Sequence, residues 1–76
     1  MLGRVFVRLK RAEEGNFRDH RSIGAGVIEL RIDFGPGYRV YLGIDGGEII
    51  LLWGGMKKTQ DNDIKTAIEF WRDYNA

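Results

Sequence analysis

Leu2, Val5, Phe6 and Leu9 recur at i, i+3, i+4 and i+7, with Arg4, Arg8 and Arg11 on another side. That spacing predicts a helix from about Leu2 to Glu14 carrying one apolar stripe. Gly15-Asn16 suits its end, since both residues accept the left-handed conformation that terminates helices. Arg18 to Gly26 reads as loop. From Val27 the period becomes two: Ile28, Leu30, Ile32 and Phe34 alternate with Val27, Glu29, Arg31 and Asp33, as in a strand with one buried face. Gly35-Pro36-Gly37 is turn chemistry, and Tyr38 to Gly43 resumes the alternation, with Tyr38, Val40 and Leu42 on one side and Arg39 and Tyr41 on the other. After a second turn at Asp45-Gly46-Gly47, Glu48 to Trp53 is apolar at nearly every position, the mark of a central strand covered on both faces. Beyond Gly54-Gly55 and a Lys57-Lys58 loop, Thr59 or Asp61 can cap a last helix in which Ile64, Ala67, Ile68 and Trp71 repeat the helical spacing. Asp61 and Asp63 suit its positive N-terminal end. The expected order is helix, three antiparallel strands, helix: one α+β domain over residues 1–76, with the helices on one face.

A length of 76 residues supports one hydrophobic core. The absence of cysteine removes disulfides and thiolate zinc sites, and a single histidine leaves a metal staple without ligands. No metal or cofactor is expected. The longest apolar run, Ile49 to Trp53, is far short of a membrane span, and Met1-Leu2-Gly3-Arg4 is no signal-peptide core, so a cytoplasmic location is expected. The formal charge of +1 hides an asymmetry: residues 1–31 hold seven Lys/Arg against four acids, and residues 32–76 hold five against seven. A local basic face is possible, although Arg4, Arg8 and Arg11 read equally as a solvated helix side.

Placing Phe34 opposite Tyr38 sets Asp33 against Arg39 and Arg31 against Tyr41. Placing Ile44 opposite Glu48 sets Arg39 beside Trp53 and Tyr41 beside Leu51. One open face then shows Glu29, Arg31, Asp33, Arg39, Tyr41 and Trp53, because a one-residue slip would expose Ile28, Leu30 and Ile32 instead. Two guanidinium groups for phosphate, a phenol for proton transfer and an indole for base stacking would suit RNA, with Lys57 and Lys58 near the same edge. A purely structural Asp33–Arg39 pair and Arg31–Tyr41 stack explain the same residues. His20 beside Asp19 reads as an incidental surface histidine, and the glycine-rich stretches lack phosphate-loop spacing and read as turns.

Four segments taken together resemble the RelE/ParE superfamily of bacterial toxins, in its HigB-like addiction-module killer branch: Glu14-Gly15-Asn16-Phe17, Gly24 to Ile32, Gly35-Pro36-Gly37-Tyr38-Arg39-Val40-Tyr41 and Gly54-Gly55-Met56-Lys57-Lys58-Thr59-Gln60-Asp61. The resemblance implies a RelE-like fold, a cognate antitoxin protein as partner, and metal-independent, ribosome-dependent cleavage of mRNA that arrests translation. It implies catalytic roles for Arg39, Arg31 and Lys57, with Tyr41 as a proton-transfer or stacking group. The residues themselves make Lys58 and Trp53 candidate RNA contacts, and Arg8 and Arg11 candidates to meet ribosomal RNA. The chain departs from the family pattern at Met56, where Asp is frequent, and at Trp53, where Cys is frequent. By the same resemblance the chain looks like a family member without the strand and helix that relatives carry before the segment matching Met1. An uncovered sheet edge would favour a homodimer by strand addition or capture of an antitoxin segment. The readings to be separated are thus a toxin endoribonuclease, a catalytically inactive toxin-fold binding module, and a ParE-like gyrase inhibitor.

Overall fold

The computed structural model describes residues 7–11, 20–32, 35 and 37–76. Five strands, β1 (Val7–Arg11), β2 (His20–Gly24), β3 (Val27–Ile32), β4 (Tyr38–Asp45) and β5 (Glu48–Met56), precede a single 3-10 turn at Lys57–Thr59 and helix α1 (Gln60–Asn75). They form one sheet in the order β1-β5-β4-β3-β2, with every neighbouring pair antiparallel. The α+β class, the β3–β4 and β4–β5 hairpins and the C-terminal helix agree with the sequence. Ile64, Ala67, Ile68 and Trp71 of α1 turn toward the sheet as their spacing requires, with Ala67 fully buried.

Two elements differ from expectation. The predicted N-terminal helix is a strand over Val7–Arg11, paired with β5 through Val7↔Leu51 and Arg8↔Ile50. Val7 and Leu9 fit a two-residue period as well as a helical one. With β4 on one side and β1 on the other, β5 is an interior strand, but among the described residues only the face toward α1 is covered, so the expected cover on both faces is half met. The remainder of that predicted helix, and the Gly15-Asn16 stop, lie outside the described residues. The predicted loop at Arg18 to Gly26 contains β2, which pairs back on β3 through a tight turn at Ala25-Gly26. Small and polar residues there hid the strand: β2 is a sheet edge exposed at four of its five positions, so no apolar alternation was required.

The face that α1 covers is also reversed. The buried cluster of Val27, Tyr41, Ile50, Leu52 and Ala67, flanked by Ile23, Phe70 and Trp71, lies on the side bearing Glu29 and Tyr41. Among the described residues no helix lies on the opposite side, where Ile32, Tyr38 and Ile44 remain exposed. The reason is steric as well as polar. Gly43 admits the Trp71 ring: a Cβ there would meet its Cζ3 at 2.5 Å and its Cη2 at 2.6 Å. Gly55 likewise leaves room for the Asp63 carboxylate, which would collide with any side chain at that position.

Register follows the same economy of space. In β3–β4 the pairs are Glu29↔Tyr41 and Arg31↔Arg39, two residues from the predicted pairing, which keeps each side chain on its predicted face. In β5 the extra residue Leu52 bulges between Leu42↔Leu51 and Tyr41↔Trp53, turning Trp53 toward α1.

Candidate functional site

One row across the sheet reads Arg21 (β2), Glu29 (β3), Tyr41 (β4) and Trp53 (β5), each directly opposite the next. Glu29 is 0% exposed and is the acceptor at its centre. Arg21 Nε donates to it at 2.8 Å, the Tyr41 hydroxyl at 3.1 Å, and Gln60 Nε2 from the first turn of α1 at 2.8 Å. Burial pushes the Glu29 carboxyl up, but the hydrogen bonds from Arg21, Gln60 and Tyr41 and the charge of Arg21 outweigh it and hold the group below its ordinary value. The same contact raises Arg21. Tyr41 is pushed far above the usual phenol range, first by burial and then by its hydrogen bond to Glu29.

A second buried carboxylate, Asp63, caps the end of this row. It accepts from Trp53 Nε1 at 2.8 Å and from the Thr59 hydroxyl. Thr59 stands at the N-cap of α1 as predicted, but its side chain serves Asp63 and the Met56 peptide in place of the helix amides. Trp53 also meets Phe70 edge-on, with ring centres 5.5 Å apart.

The adjacent row holds Arg31, Arg39 and Gly55. Arg31 is exposed, whereas the Arg39 side chain is only 11% exposed, with its Nε 3.6 Å from Glu29 Oε2. That separation is an ion pair without a hydrogen bond. Nε and Nη1 of Arg39 are buried and have no hydrogen-bond partner among the described residues. Lys57 joins this end of the sheet, its amide donating to the Gly37 carbonyl at 3.0 Å. Lys57, Lys58 and the first residues of α1 line an open cleft of about 450 Å³, and Gln60 connects that cleft to Glu29.

The predicted residues therefore divide. Arg31, Arg39, Lys57 and Lys58 gather at one end of the sheet. Tyr41 does not belong to an open surface: it is fully buried with its hydroxyl committed to Glu29, which corrects the expected accessible phenol. Trp53 keeps 42% of its surface exposed, but its indole N–H and one ring edge are used internally. Arg8 and Arg11 are no helical stripe beside the site. They pair with Ile50 and Glu48, five and seven residues along β5 from Gly55, about 17 and 23 Å at strand spacing. Asp33 lies outside the described residues. Sequence reasoning missed Arg21, Gln60 and Asp63 as partners of the row; only Gly54-Gly55 hinted that something approaches β5 closely.

The carboxyl at the hub makes stability depend on pH. Because the folded-state value of Glu29 lies below its ordinary 4.5, the unfolded chain takes up the proton first as pH falls. The stabilisation is complete above that ordinary value and is lost as pH drops through the folded-state value. Urea midpoints compared between about pH 6 and about pH 3 should fall more steeply for the native chain than for Glu29→Gln. Equal slopes would remove Glu29 as the source.

No family model matches this chain, and no solved structure matches it. It is 54% identical over 65 residues to an uncharacterized protein of Haemophilus influenzae, an alignment covering 84% of this chain and 66% of that protein. The chain thus spans about two thirds of the length of that relative. No described helix is long and apolar enough to cross a membrane.

Proposed function

We propose that this chain is the toxin of a toxin–antitoxin pair and acts as a metal-independent, ribosome-dependent endoribonuclease on mRNA. The observation that carries the reading is Arg39, a guanidinium held nearly out of solvent with two donors that the described fold does not use. Buried donors without acceptors cost stability, so their retention points to an external acceptor. Arg31 opposite it and Lys57 at the same sheet end make a polyanion the chemically matched ligand, and the planar guanidinium fork suits phosphate. The motif resemblance supplies RNA as the source of that phosphate.

In this reading Arg39 and Arg31 hold the scissile phosphate. The ribose 2′ hydroxyl attacks the adjacent phosphorus, its proton passing to water, and a 2′,3′-cyclic phosphate forms. The 5′ oxygen leaves with a proton from Lys57. Arginine donors aimed at the extra charge of the transition state lower its energy more than that of the substrate. Tyr41 contributes indirectly, by securing Glu29 behind Arg39.

One observation favours a second reading, a binding module that engages the same polyanion without cleaving it. The Tyr41 hydroxyl is buried and committed to Glu29, so the phenol that the motif would assign to proton transfer is withheld from the phosphate. The test is to induce the chain without any antitoxin and map transcript ends. Growth arrest with in-frame mRNA cuts, relieved by Arg31→Ala, supports the endonuclease. Arrest with ribosome association and intact transcripts supports the binding module, and gyrase inhibition with intact transcripts would overturn both.

A further inference from the structure

We infer that Gln60 is a positioning residue: by occupying the Glu29 oxygen nearest Arg39, it keeps the Arg39 guanidinium off that carboxylate and available to phosphate. The inference rests on the reading of Arg39 as a phosphate ligand. Glu29 Oε2 accepts from Gln60 Nε2 at 2.8 Å and from the Tyr41 hydroxyl at 3.1 Å. A carboxylate oxygen offers two lone pairs, so these two donors fill it. The other oxygen, Oε1, takes Arg21 Nε at 2.8 Å. Arg39 Nε stops 3.6 Å from Oε2, outside the range of about 2.7–2.9 Å at which a guanidinium bonds a carboxylate.

Stability alone selects the reverse arrangement, since a bond from a charged donor is the stronger one. Here neutral groups hold the acceptor, and Nε and Nη1 of Arg39 have no hydrogen-bond partner among the described residues. A second carboxylate repeats the pattern. Asp63 stands over Gly55, the residue opposite Arg39, and its two oxygens are taken by Trp53 Nε1 and the Thr59 hydroxyl. The fold brings Gln60 to Glu29 from outside the sheet. It opens α1, directly after the turn in which the Thr59 hydroxyl bonds the Met56 carbonyl and Asp63, and it lines the cleft with Lys57 and Lys58. Without its amide, Oε2 regains a lone pair and Arg39 closes onto it. A guanidinium bonded in that way must break the bond before it meets phosphate, so Gln60 favours availability over stability.

The test compares the full chain with Gln60→Met, which keeps the length and bulk of the side chain without its amide. Three readouts are taken: nitrogen–proton NMR of the arginine Nε–H groups, thermal melting, and anisotropy of a fluorescein-labelled 2′-O-methyl oligoribonucleotide, which cannot be cleaved. The Arg39 signal is the one that disappears in Arg39→Met. In Gln60→Met it should move downfield and exchange more slowly with water, while the melting temperature holds or rises. Oligonucleotide affinity should fall about tenfold, the effect of one hydrogen bond to a charged group. Gln60→Asn, with an amide one methylene shorter, should behave alike. In the Arg39→Met background Gln60→Met should leave affinity unchanged, because no guanidinium remains to be held off. An Arg39 signal unmoved in both variants would overturn the inference, whatever the melting temperature does. An equal loss of affinity in the Arg39→Met background would overturn it by making Gln60 a direct contact. No binding by the native chain would overturn the phosphate reading, and the Arg39 signal would still decide whether Gln60 holds Arg39 off Glu29.

Discussion

Glu29→Ala should lower the free energy of unfolding by about 3–5 kcal/mol, the cost of removing one member of a buried charged cluster while its partners stay in place. Glu29 is fully buried and accepts from three donors on three different elements, β2, β4 and α1. Truncation leaves the Tyr41 hydroxyl and the Gln60 amide without their acceptor and deprives Arg39 of its counter-charge. Arg21 can turn outward to solvent, so most of the loss arises from the other three. A domain of this size has roughly 4–11 kcal/mol in total, so the variant should be largely unfolded at room temperature or close to it. Urea unfolding followed by far-ultraviolet dichroism measures this. A loss below about 1 kcal/mol would mean that water replaces these bonds and that Glu29 is not the hub of the fold.

Arg39→Met should separate function from stability in the opposite sense. Methionine keeps much of the length and apolar bulk of the side chain and removes Nε and Nη1, the two buried donors that lack a partner among the described residues. Removing unsatisfied buried donors relieves their desolvation cost, and Glu29 keeps all three of its hydrogen bonds, including the charged one from Arg21, so the loss of the longer Arg39 contact is offset. The unfolding midpoint should therefore hold or rise. If the endonuclease reading is right, cleavage should fall roughly 10²–10³-fold, the effect of losing one donor to the transition state. The paired measurement is transcript cleavage in a translating extract beside a thermal melt of the same preparation. Lost cleavage with a lowered melting point would return Arg39 to a structural role, and retained cleavage would remove it from the site.

How far the chain could be read in advance varies with how local the signal is. The two-residue period from Val27 to Leu42 placed Glu29, Arg31, Arg39 and Tyr41 on one face, and the structure keeps them there although the hairpin register is two residues different. The chain reversals between β3 and β4 and between β4 and β5, and the spacing of Ile64, Ala67, Ile68 and Trp71, were equally legible. The first strand was not, since Val7 and Leu9 satisfy a helical pattern until β5 demands a neighbour. The edge strand β2 was hidden because exposure removes the apolar alternation that marks a strand.

The larger reversal concerns which face is covered. A face carrying Glu29, Arg39 and Tyr41 looks solvent-facing when each residue is weighed alone, because burying an unpaired polar group is costly. Gln60 lies 31 residues from Glu29 in sequence, and Asp63 lies 10 from Trp53. Those distant contacts change the sign of the expectation by supplying hydrogen bonds that the local pattern cannot show. The sequence by itself determined the strand faces, the turns, the C-terminal helix and the gathering of Arg31, Arg39 and Lys57, all of which follow from backbone period and chain reversal over a few residues. Only the tertiary structure decided that α1 lies over the polar face, that Tyr41 is sealed and that two donors of Arg39 go unused among the described residues. Burial and hydrogen-bond satisfaction are properties of residues brought together from separate elements, and Leu52, Gly43 and Gly55 settle which elements can meet.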